Sequence, residues 1–161
     1  MNRTVAIVGP SGSGKTQLIC GLLDWFAGRG VRVAVLKHTF KQNLGDEGKD
    51  TGRYRRAGAR LVALAAPGVL QITRAVAAEP SLEEVLAALA PDADLILVEG
   101  YKSGPLPKVA LVPPGATSFP DYPHLIALVS PEPMAGEALP VFQPGQVAEL
   151  GGFLLKFLGQ G

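Results

Sequence analysis

The chain carries near its start the octapeptide Gly-Pro-Ser-Gly-Ser-Gly-Lys-Thr, residues 9–16, which matches the phosphate-binding consensus G-x-x-x-x-G-K-[ST] at every fixed position. Glycines let the backbone curve closely round a phosphate, and the amide hydrogens of such a loop point inward. Lys15 supplies a point charge for the β- and γ-phosphates, and the Thr16 hydroxyl is suited to Mg²⁺. The loop predicts a site for a nucleoside triphosphate with magnesium. The residues expected to hold the nucleotide are Gly9, Ser11, Gly12, Ser13, Gly14, Lys15, Thr16 and Gln17.

A carboxylate at the end of a neighbouring strand would complete the magnesium shell. Glu99 follows the apolar run 95–98, whereas Asp94 precedes this run and would lie about 16 Å away along the strand. Glu99 is therefore favoured over Asp94 as a metal ligand beside Thr16. Asp46 is a second candidate, because loops after the second strand of such folds often return to the metal; a turn-forming aspartate is the alternative. Lys15, Asp46 and Glu99 are the residues expected to act in hydrolysis.

The elements that must position these residues alternate along the chain. Apolar or β-branched runs predict strands over 4–8, 31–36, 60–66, 69–73, 95–98, 108–112 and 125–129. Helices are predicted over 15–28, 51–58 and about 147–158, and another begins at Ser81, which has Glu84 in capping-box spacing. This alternation is typical of an α/β fold with a mostly parallel sheet covered by helices on both faces. Pro67-Gly68 predicts an antiparallel hairpin at the sheet edge. We expect a single P-loop nucleotide-binding domain over residues 1–161.

The amino-acid composition limits the classes of function that the chain can have. The chain has 161 residues and a formal net charge of +1, and 47% of its residues are hydrophobic, so we expect one globular domain with no general attraction to nucleic acid. We find no apolar run of about 18 residues and no signal-peptide pattern, which favours the cytoplasm. Cys20 is the single cysteine and is expected to be a small buried core residue. Of Trp25 and Phe26, only one can point fully inward.

Three segments together resemble the molybdopterin-guanine dinucleotide biosynthesis protein B family (MobB). They are the loop 9–16; Lys37-His38 with residues 46–51 and 55–59; and residues 97–102 with 106–108. The resemblance spans about residues 4–130. Its most specific parts are Gly-Lys-Asp-Thr, 48–51, and Val-Glu-Gly-Tyr-Lys, 98–102.

The resemblance implies a GTP-binding P-loop protein, usually a homodimer, that binds GTP with Mg²⁺ and hydrolyses it weakly. It also implies a partner, the molybdopterin guanylyltransferase that joins GMP to molybdopterin, and raises direct binding of molybdopterin. This chain departs from the pattern at residues 40–42, Phe-Lys-Gln, where many relatives carry further histidines. It also lacks an N-K-x-D guanine signature, so a preference for GTP over ATP rests on the resemblance alone. Base contacts are expected from the loop after residues 128–130.

Eight basic residues lie between positions 37 and 60. They are Lys37, His38, Lys41, Lys49, Arg53, Arg55, Arg56 and Arg60. With Lys102 and Lys108, they predict a second anionic site near the nucleotide, for molybdopterin phosphate or an acidic partner surface. Lys49 and Lys102 are the best single candidates. An ordinary solvated surface, interleaved with Asp46, Glu47 and Asp50, is the alternative.

Two other functions remain open at this point. One is a small-molecule kinase or ligase that uses ATP, with an acceptor pocket built by the proline-rich loops between residues 105 and 123. The other is a GTPase metal chaperone. The missing cysteine pairs and histidine cluster argue against the chaperone.

Overall fold

The computed structural model describes residues 3–40, 45–116, 118–134 and 138–159. The chain forms two compact units, Met1–His38 with Leu86–Gly161 and Thr39–Val85, which we call the sheet unit and the hairpin unit. In chain order the elements of the described residues are β1 (Arg3–Val8), α1 (Lys15–Ala27), β2 (Val33–Lys37), α2 (Asp50–Arg56), β3 (Leu61–Ala66), β4 (Val69–Arg74), α3 (Leu82–Leu89), β5 (Leu95–Glu99), β6 (Lys108–Leu111), β7 (Leu125–Val129), β8 (Val141–Phe142) and α4 (Val147–Gly159). No described helix has the length and apolar character needed to cross a bilayer.

The sheet unit is built on a six-stranded sheet in the order β2-β5-β1-β6-β7-β8. All neighbouring strands run parallel, which confirms the predicted mostly parallel sheet. Glu99 at the end of β5 lies in register with Ile7 of β1 and with Lys37 of β2. The carboxyl ends of these three strands therefore meet at one edge, where ligands bind in folds of this kind.

Each face of the sheet is covered, as the sequence predicted. The side chains of Val5 and Ile7 pack in the cluster that α1 and α4 cover, whereas Ala6 and Val8 pack in a second cluster that includes partly buried Leu86 and Leu89 of α3 and several loop residues. These alternating positions of β1 are all fully buried. Because both faces are apolar, the central strands read as continuous hydrophobic runs in the sequence.

Helix α1 buries one stripe, Leu18, Ile19, Leu22 and Phe26. Cys20 lies off this stripe and is exposed, so its prediction as a buried core residue was wrong. The helical period places a residue one position after Ile19 about 100° round the axis, away from the sheet. The apolar character of Cys20 had suggested burial, but the positions of α1 that face the core are taken by the other four residues.

Helices α1 and α4 approach closely at a glycine. Phe26 is fully buried and Trp25 only partly, which confirms that one of the two points inward. A Cβ placed on Gly151 of α4 would lie 2.5 Å from the Trp25 ring, so only glycine leaves room for the indole there. The Arg29 guanidinium also lies over the Trp25 ring, 3.7 Å from its centroid.

In the hairpin unit, β3 and β4 pair antiparallel from Leu61↔Arg74 to Ala66↔Val69, across the predicted Pro67-Gly68 turn. This pair forms a two-stranded sheet of its own, so its expected place at the edge of the large sheet was wrong. The turn residues encode local pairing, but membership of a larger sheet depends on contacts distant in sequence. At the start of α3, Ser81 and Glu84 exchange hydrogen bonds of 2.8 and 3.2 Å, which confirms the capping box.

Candidate functional site

The phosphate loop connects β1 to α1, as its sequence context predicted. Gly12 and Gly14 have φ angles of 76° and 89°, in the left-handed region that favours glycine. Gly9 is constrained by space as well, because a Cβ there would lie 3.0 Å from the carbonyl oxygen of Leu111. The Leu18 amide donates to the Gly14 carbonyl at 2.9 Å and starts the helix. The earlier amides and the positive end of the α1 dipole thus suit an anion.

The Lys15 ammonium folds back over this loop. Its Nζ donates to the carbonyl oxygens of Gly9 and Pro10 at 3.2 and 2.6 Å. Burial lowers the pKa of Lys15, while Glu99 acts to raise it and the charges of Lys102 and Lys37 lower it further. Three lysines therefore act electrostatically at one place, with one carboxylate among them.

Glu99 is the carboxylate on which this edge of the sheet converges. The Thr16 hydroxyl donates to Glu99 Oε2 at 3.4 Å, and the Lys37 ammonium lies 3.2 Å from Oε1. The Glu99 side chain is only 14% exposed. A hydroxyl and a carboxylate are oxygen ligands that Mg²⁺ accepts, usually together with phosphate oxygens and water. The donor set present therefore fits magnesium.

Asp94 lies at the opposite end of β5 and has another role. It accepts hydrogen bonds from the Arg32 amide at 3.0 Å and from the guanidinium at 2.8 and 3.2 Å. These bonds lower the pKa of Asp94 to about 2. The carboxylate anchors the start of β2.

Lys37 was not singled out from the sequence as a partner of Glu99. The sequence pointed to it only as one of eight clustered basic residues and as part of the Lys37-His38 pair in the family resemblance. The signal that would have found it is the parallel pairing of β2 with β5, which puts Lys37 opposite Glu99. That pairing joins strands about sixty residues apart in the chain, beyond the reach of local periodicity.

The turn after Glu99 is tightly constrained. Gly100 has a φ of 114°, and a Cβ there would lie 3.1 Å from the Cβ of His38. Tyr101 also has a positive φ, 52°, and its ring lies 4.5 Å from the His38 ring, centroid to centroid. A non-glycine residue in this region costs backbone strain, which commonly marks a functional segment. The Val-Glu-Gly-Tyr-Lys segment therefore requires glycine at position 100, because a side chain there would crowd His38.

Lys108 does not belong to an open anion site. Its side chain is fully buried, and its ammonium donates to the carbonyl oxygens of Gly104 and Leu106 at 2.5 and 2.8 Å. Burial lowers the pKa of Lys108. The residue therefore fixes the loop between β5 and β6, and its expected place beside Lys102 in a basic surface was wrong. A charged side chain can be buried this way because it satisfies neighbouring carbonyls.

A cavity of about 440 Å³ lies beside the phosphate loop. Its wall includes Ser13 and Gln17 together with Val129, Pro144 and Gly145. The buried Ser13 hydroxyl has no hydrogen-bond partner in the described protein. The cavity combines an apolar wall with a few polar groups, as small-molecule sites do.

Asp46 and Lys49 lie in the hairpin unit. The Asp46 carboxylate accepts two hydrogen bonds from the Arg55 guanidinium, which lowers the pKa of Asp46. Lys49 lines a cavity of about 520 Å³ together with Asp46, Leu64 and Gln71. The expected metal role of Asp46 and the anion role of Lys49 stay predictions. In the described ranges, no three or more His, Cys, Asp or Glu residues come together as a metal-binding group.

Comparison with known proteins gives concordant results. Residues 4–131 match the family model described as Molybdopterin guanine dinucleotide synthesis protein B. The chain is 40% identical over 113 residues to a probable molybdopterin-guanine dinucleotide biosynthesis adapter protein of Bacillus subtilis, covering 67% of this chain and 64% of that protein. It is 33% identical over 132 residues to the Escherichia coli adapter protein, covering 77% and 75% of the two chains.

The matched region spans somewhat less than two thirds of two of these relatives, the Bacillus protein and one of Haemophilus influenzae, of which 61% is covered. Among solved structures, the crystal structure of a MobB protein homolog from Bacillus stearothermophilus superposes with a TM-score of 0.75 and 29% identity, covering 99% of both chains. A second structure, titled molybdopterin-guanine biosynthesis protein B, gives 0.77 and 27%, covering 97% of this chain and 99% of the other.

Proposed function

Because this chain belongs to the Molybdopterin guanine dinucleotide synthesis protein B family, we propose that it is a GTP-binding accessory protein in molybdenum cofactor biosynthesis. It assists the conversion of molybdopterin to molybdopterin guanine dinucleotide and hydrolyses GTP weakly. The observation that carries the nucleotide part is the 3.4 Å approach of the Thr16 hydroxyl to Glu99 at the head of α1. Two oxygen ligands for magnesium thus meet beside a complete phosphate loop.

Different residues of the loop would bind different parts of the nucleotide and its metal ion. The amides of Ser11, Gly12, Ser13 and Gly14 would surround the phosphates, and Lys15 would leave the carbonyls of the loop to contact them. Thr16 and Glu99 would hold Mg²⁺, which supplies charge neutralisation at the phosphates. Lys102 would add positive charge from the loop after β5. In the hairpin unit, Asp46 is a further candidate for binding the metal and Lys49 for binding an anion.

The cavity beside Ser13 and Gln17 supports a nucleoside rather than a bare phosphate. It adjoins the phosphate loop and lies against the ends of β6 and β7. The exposed Gln17 side chain on its wall is available to a polar group of the ligand. This is the region from which guanine selection would come, in the absence of a guanine signature in the sequence.

The contacts of the two candidate carboxylates support slow hydrolysis. Glu99 is held by Lys37 and Thr16, and Asp46 by Arg55. A general base must reach and activate the attacking water. Carboxylates already held by other side chains are not free to orient that water, so turnover is expected to be low and the nucleotide to serve mainly as a bound ligand.

A homodimer is supported by one face of the β3–β4 hairpin. Its cross-strand pairs place apolar side chains together on this face, and each of them is exposed. The face comprises Leu61, Ala63, Ala65, Leu70 and Ile72, and Arg74 lies on it at the base of the hairpin, opposite Leu61. An isolated hairpin with a bare apolar face is marginal in water, and a second copy would cover it by isologous pairing. The proposed partner enzyme is the molybdopterin guanylyltransferase, met in the cytoplasm.

Isothermal titration calorimetry of the full chain with GTP and with ATP, each with Mg²⁺, tests the proposal. We expect binding of GTP in preference to ATP, and loss of binding in Lys15→Ala. Lys156→Ala, an exposed lysine on α4, is the matched control and should bind normally. Equal or better binding of ATP would favour a kinase or ligase of small molecules. Binding of neither nucleotide would overturn the proposal.

A capture experiment tests the accessory role. The purified chain, with and without GTP, is mixed with the guanylyltransferase of the same source and analysed by size-exclusion chromatography. Co-elution that is stronger with GTP supports the role. Normal GTP binding with no complex in either state contradicts it.

A further inference from the structure

We propose that the hairpin unit carries a phosphate-monoester site formed by arginines of α2 and β4, distinct from the phosphate loop. The inference rests on the proposed function, since the phosphate group of molybdopterin is the ligand it would serve. The site lies wholly within residues 55–75, at the base of the hairpin, whereas the apolar pairs Ala63–Ile72 and Ala65–Leu70 of the proposed dimer face lie nearer the turn. Its walls are set by two adjoining cavities of about 260 and 200 Å³ that share Arg74 and Ala75.

The charge balance of this region is one-sided. Between residues 49 and 75 the chain has six basic residues and a single acidic one, Asp50. Asp50 pairs at 3.7 Å with Arg53, which does not line either cavity. The basic residues around the cavities therefore concentrate positive potential, which attracts anions.

Four arginines line the cavities and differ in how their charge is balanced. Arg55 is held by Asp46. Arg56 donates to the neutral carbonyl of Glu47 at 2.7 Å, so its charge is not neutralised. Among the residues the structure describes, no acidic side chain pairs with Arg60 or Arg74.

Arg60 and Arg74 come from neighbouring positions at the open end of the hairpin and both line the smaller cavity. Ala75 donates its amide to the Arg60 carbonyl at 2.9 Å, and Arg74 pairs across the hairpin with Leu61. Arg55 and Arg56 complement the negative end of the α2 dipole, which explains their presence at that helix end. The helix dipole does not explain Arg60 and Arg74, which lie outside the helix. Because like charges held close together repel each other, they favour a bound counter-anion.

The arrangement suits phosphate better than carboxylate. Arginines of two elements, α2 and β4, line the larger cavity, and Thr73 lines it as well. A phosphate monoester presents three terminal oxygens and close to two negative charges, so it can accept from several directions at once. A carboxylate presents two oxygens in one plane.

The test is an NMR titration of the ¹⁵N-labelled full chain with inorganic phosphate, at constant ionic strength adjusted with sodium chloride. It is run on wild type and on Lys15→Ala, in which the phosphate loop is disabled. We expect saturable shifts of the amides of Thr73, Arg74 and Ala75 in both proteins. In Arg74→Gln the Kd should rise about tenfold or more, because a hydrogen bond to a charged group is lost.

The controls separate this site from general effects. Arg53→Gln, on the same helix but outside the cavities, should leave the Kd within about twofold of wild type. Arg56→Gln gives a second test should Arg74→Gln unfold the hairpin. Ribose 5-phosphate should bind at least as tightly as inorganic phosphate; its exclusion would overturn the monoester assignment and leave a site for free phosphate.

The remaining outcomes each decide against the site. Shifts confined to residues 12–16, or unchanged in Arg74→Gln, would overturn it. So would loss of guanylyltransferase capture in Arg74→Gln with no phosphate shift in wild type, which would assign the arginines to an acidic protein surface. GTP calorimetry on the same samples distinguishes the two proposals, since a chain that binds phosphate at Arg74 but no nucleotide would refute only the proposed function.

Discussion

The six-stranded sheet and the two-stranded hairpin use similar residues with opposite results. In β5, residues 95–98 are apolar and almost fully buried on both faces. In the hairpin, Leu61, Leu70 and Ile72 are as apolar but between 53% and 65% exposed. An apolar strand composition therefore indicates that the segment is buried by some protein surface, but it does not identify whether that surface belongs to the same chain or to another. In the sheet unit the cover is the chain itself, and in the hairpin unit we propose that it is a second copy.

The largest expected effect is loss of a core side chain. Leu97→Ala should lower the free energy of unfolding by about 2–5 kcal/mol, because a fully buried side chain leaves a cavity. The comparison variant is Leu70→Ala, with the same chemistry on the hairpin, which should change it by about 0.5 kcal/mol or less in the monomer. Urea denaturation followed by circular dichroism measures both. Equal losses would show that the hairpin face is buried by this chain.

A smaller effect is expected inside the hairpin unit. Gly52 is buried in α2, and a Cβ there would collide with the carbonyl oxygen of Asp46. Gly52→Ala should cost about 1–3 kcal/mol of local stability through overpacking. Hydrogen exchange read by mass spectrometry should quicken over residues 45–56 and stay unchanged in β5. Gly48→Ala meets no neighbouring atom and is the control; an equal effect there would refute the steric explanation.

Charging the bare hairpin face should alter association with little effect on folding. Leu70→Glu places a carboxylate at a position that is 65% exposed in one chain. We expect the dimer Kd to rise at least about tenfold, since a charge would be desolvated in the interface, while the unfolding curve at low concentration moves little. Sedimentation equilibrium measures the change. Gln71→Glu, on the other face, should leave association unchanged, and dimerisation of Leu70→Glu at wild-type strength would eliminate this face as the interface.

The smallest effect concerns pH and the sheet unit. Asp94 has a pKa lowered to about 2 by its hydrogen bonds with Arg32, from an ordinary value of 3.8. A carboxyl whose folded pKa is depressed stabilises the fold above its unfolded pKa, and that contribution is lost as pH falls from about 4 through about 2. Asp94→Asn should therefore flatten the acid side of the stability profile in this window. Carboxyl ¹³C titration checks the value directly, and a midpoint near 3.8 would contradict it.

The sequence was most informative where chemistry is contained in a short segment. The phosphate loop, the capping box at Ser81 and the hairpin turn depend on residues within a few positions of one another, and the structure places each as expected. The strand β8 was missed because two residues, Val141 and Phe142, give no measurable periodicity.

What could not be predicted depends on contacts between distant segments. The ion pair of Lys37 with Glu99 follows from the register of β2 on β5. Burial of Lys108 follows from the path of the loop before it, whose carbonyls surround the ammonium. Its positive charge suggested a surface, because a buried lysine is rare and its partners were backbone atoms that sequence does not reveal.

The packing of Trp25 against Gly151 also makes the intrinsic fluorescence of the protein a probe of the contact between α1 and α4. Trp25 is the chain's single tryptophan, so all of its indole fluorescence comes from one place, on the helix that begins at Lys15. The ring lies against the α4 backbone at Gly151 and close to the Arg29 guanidinium, and a displacement of α1 against α4 would change its emission. Unlabelled protein can therefore report on this helix pair as ligand is added.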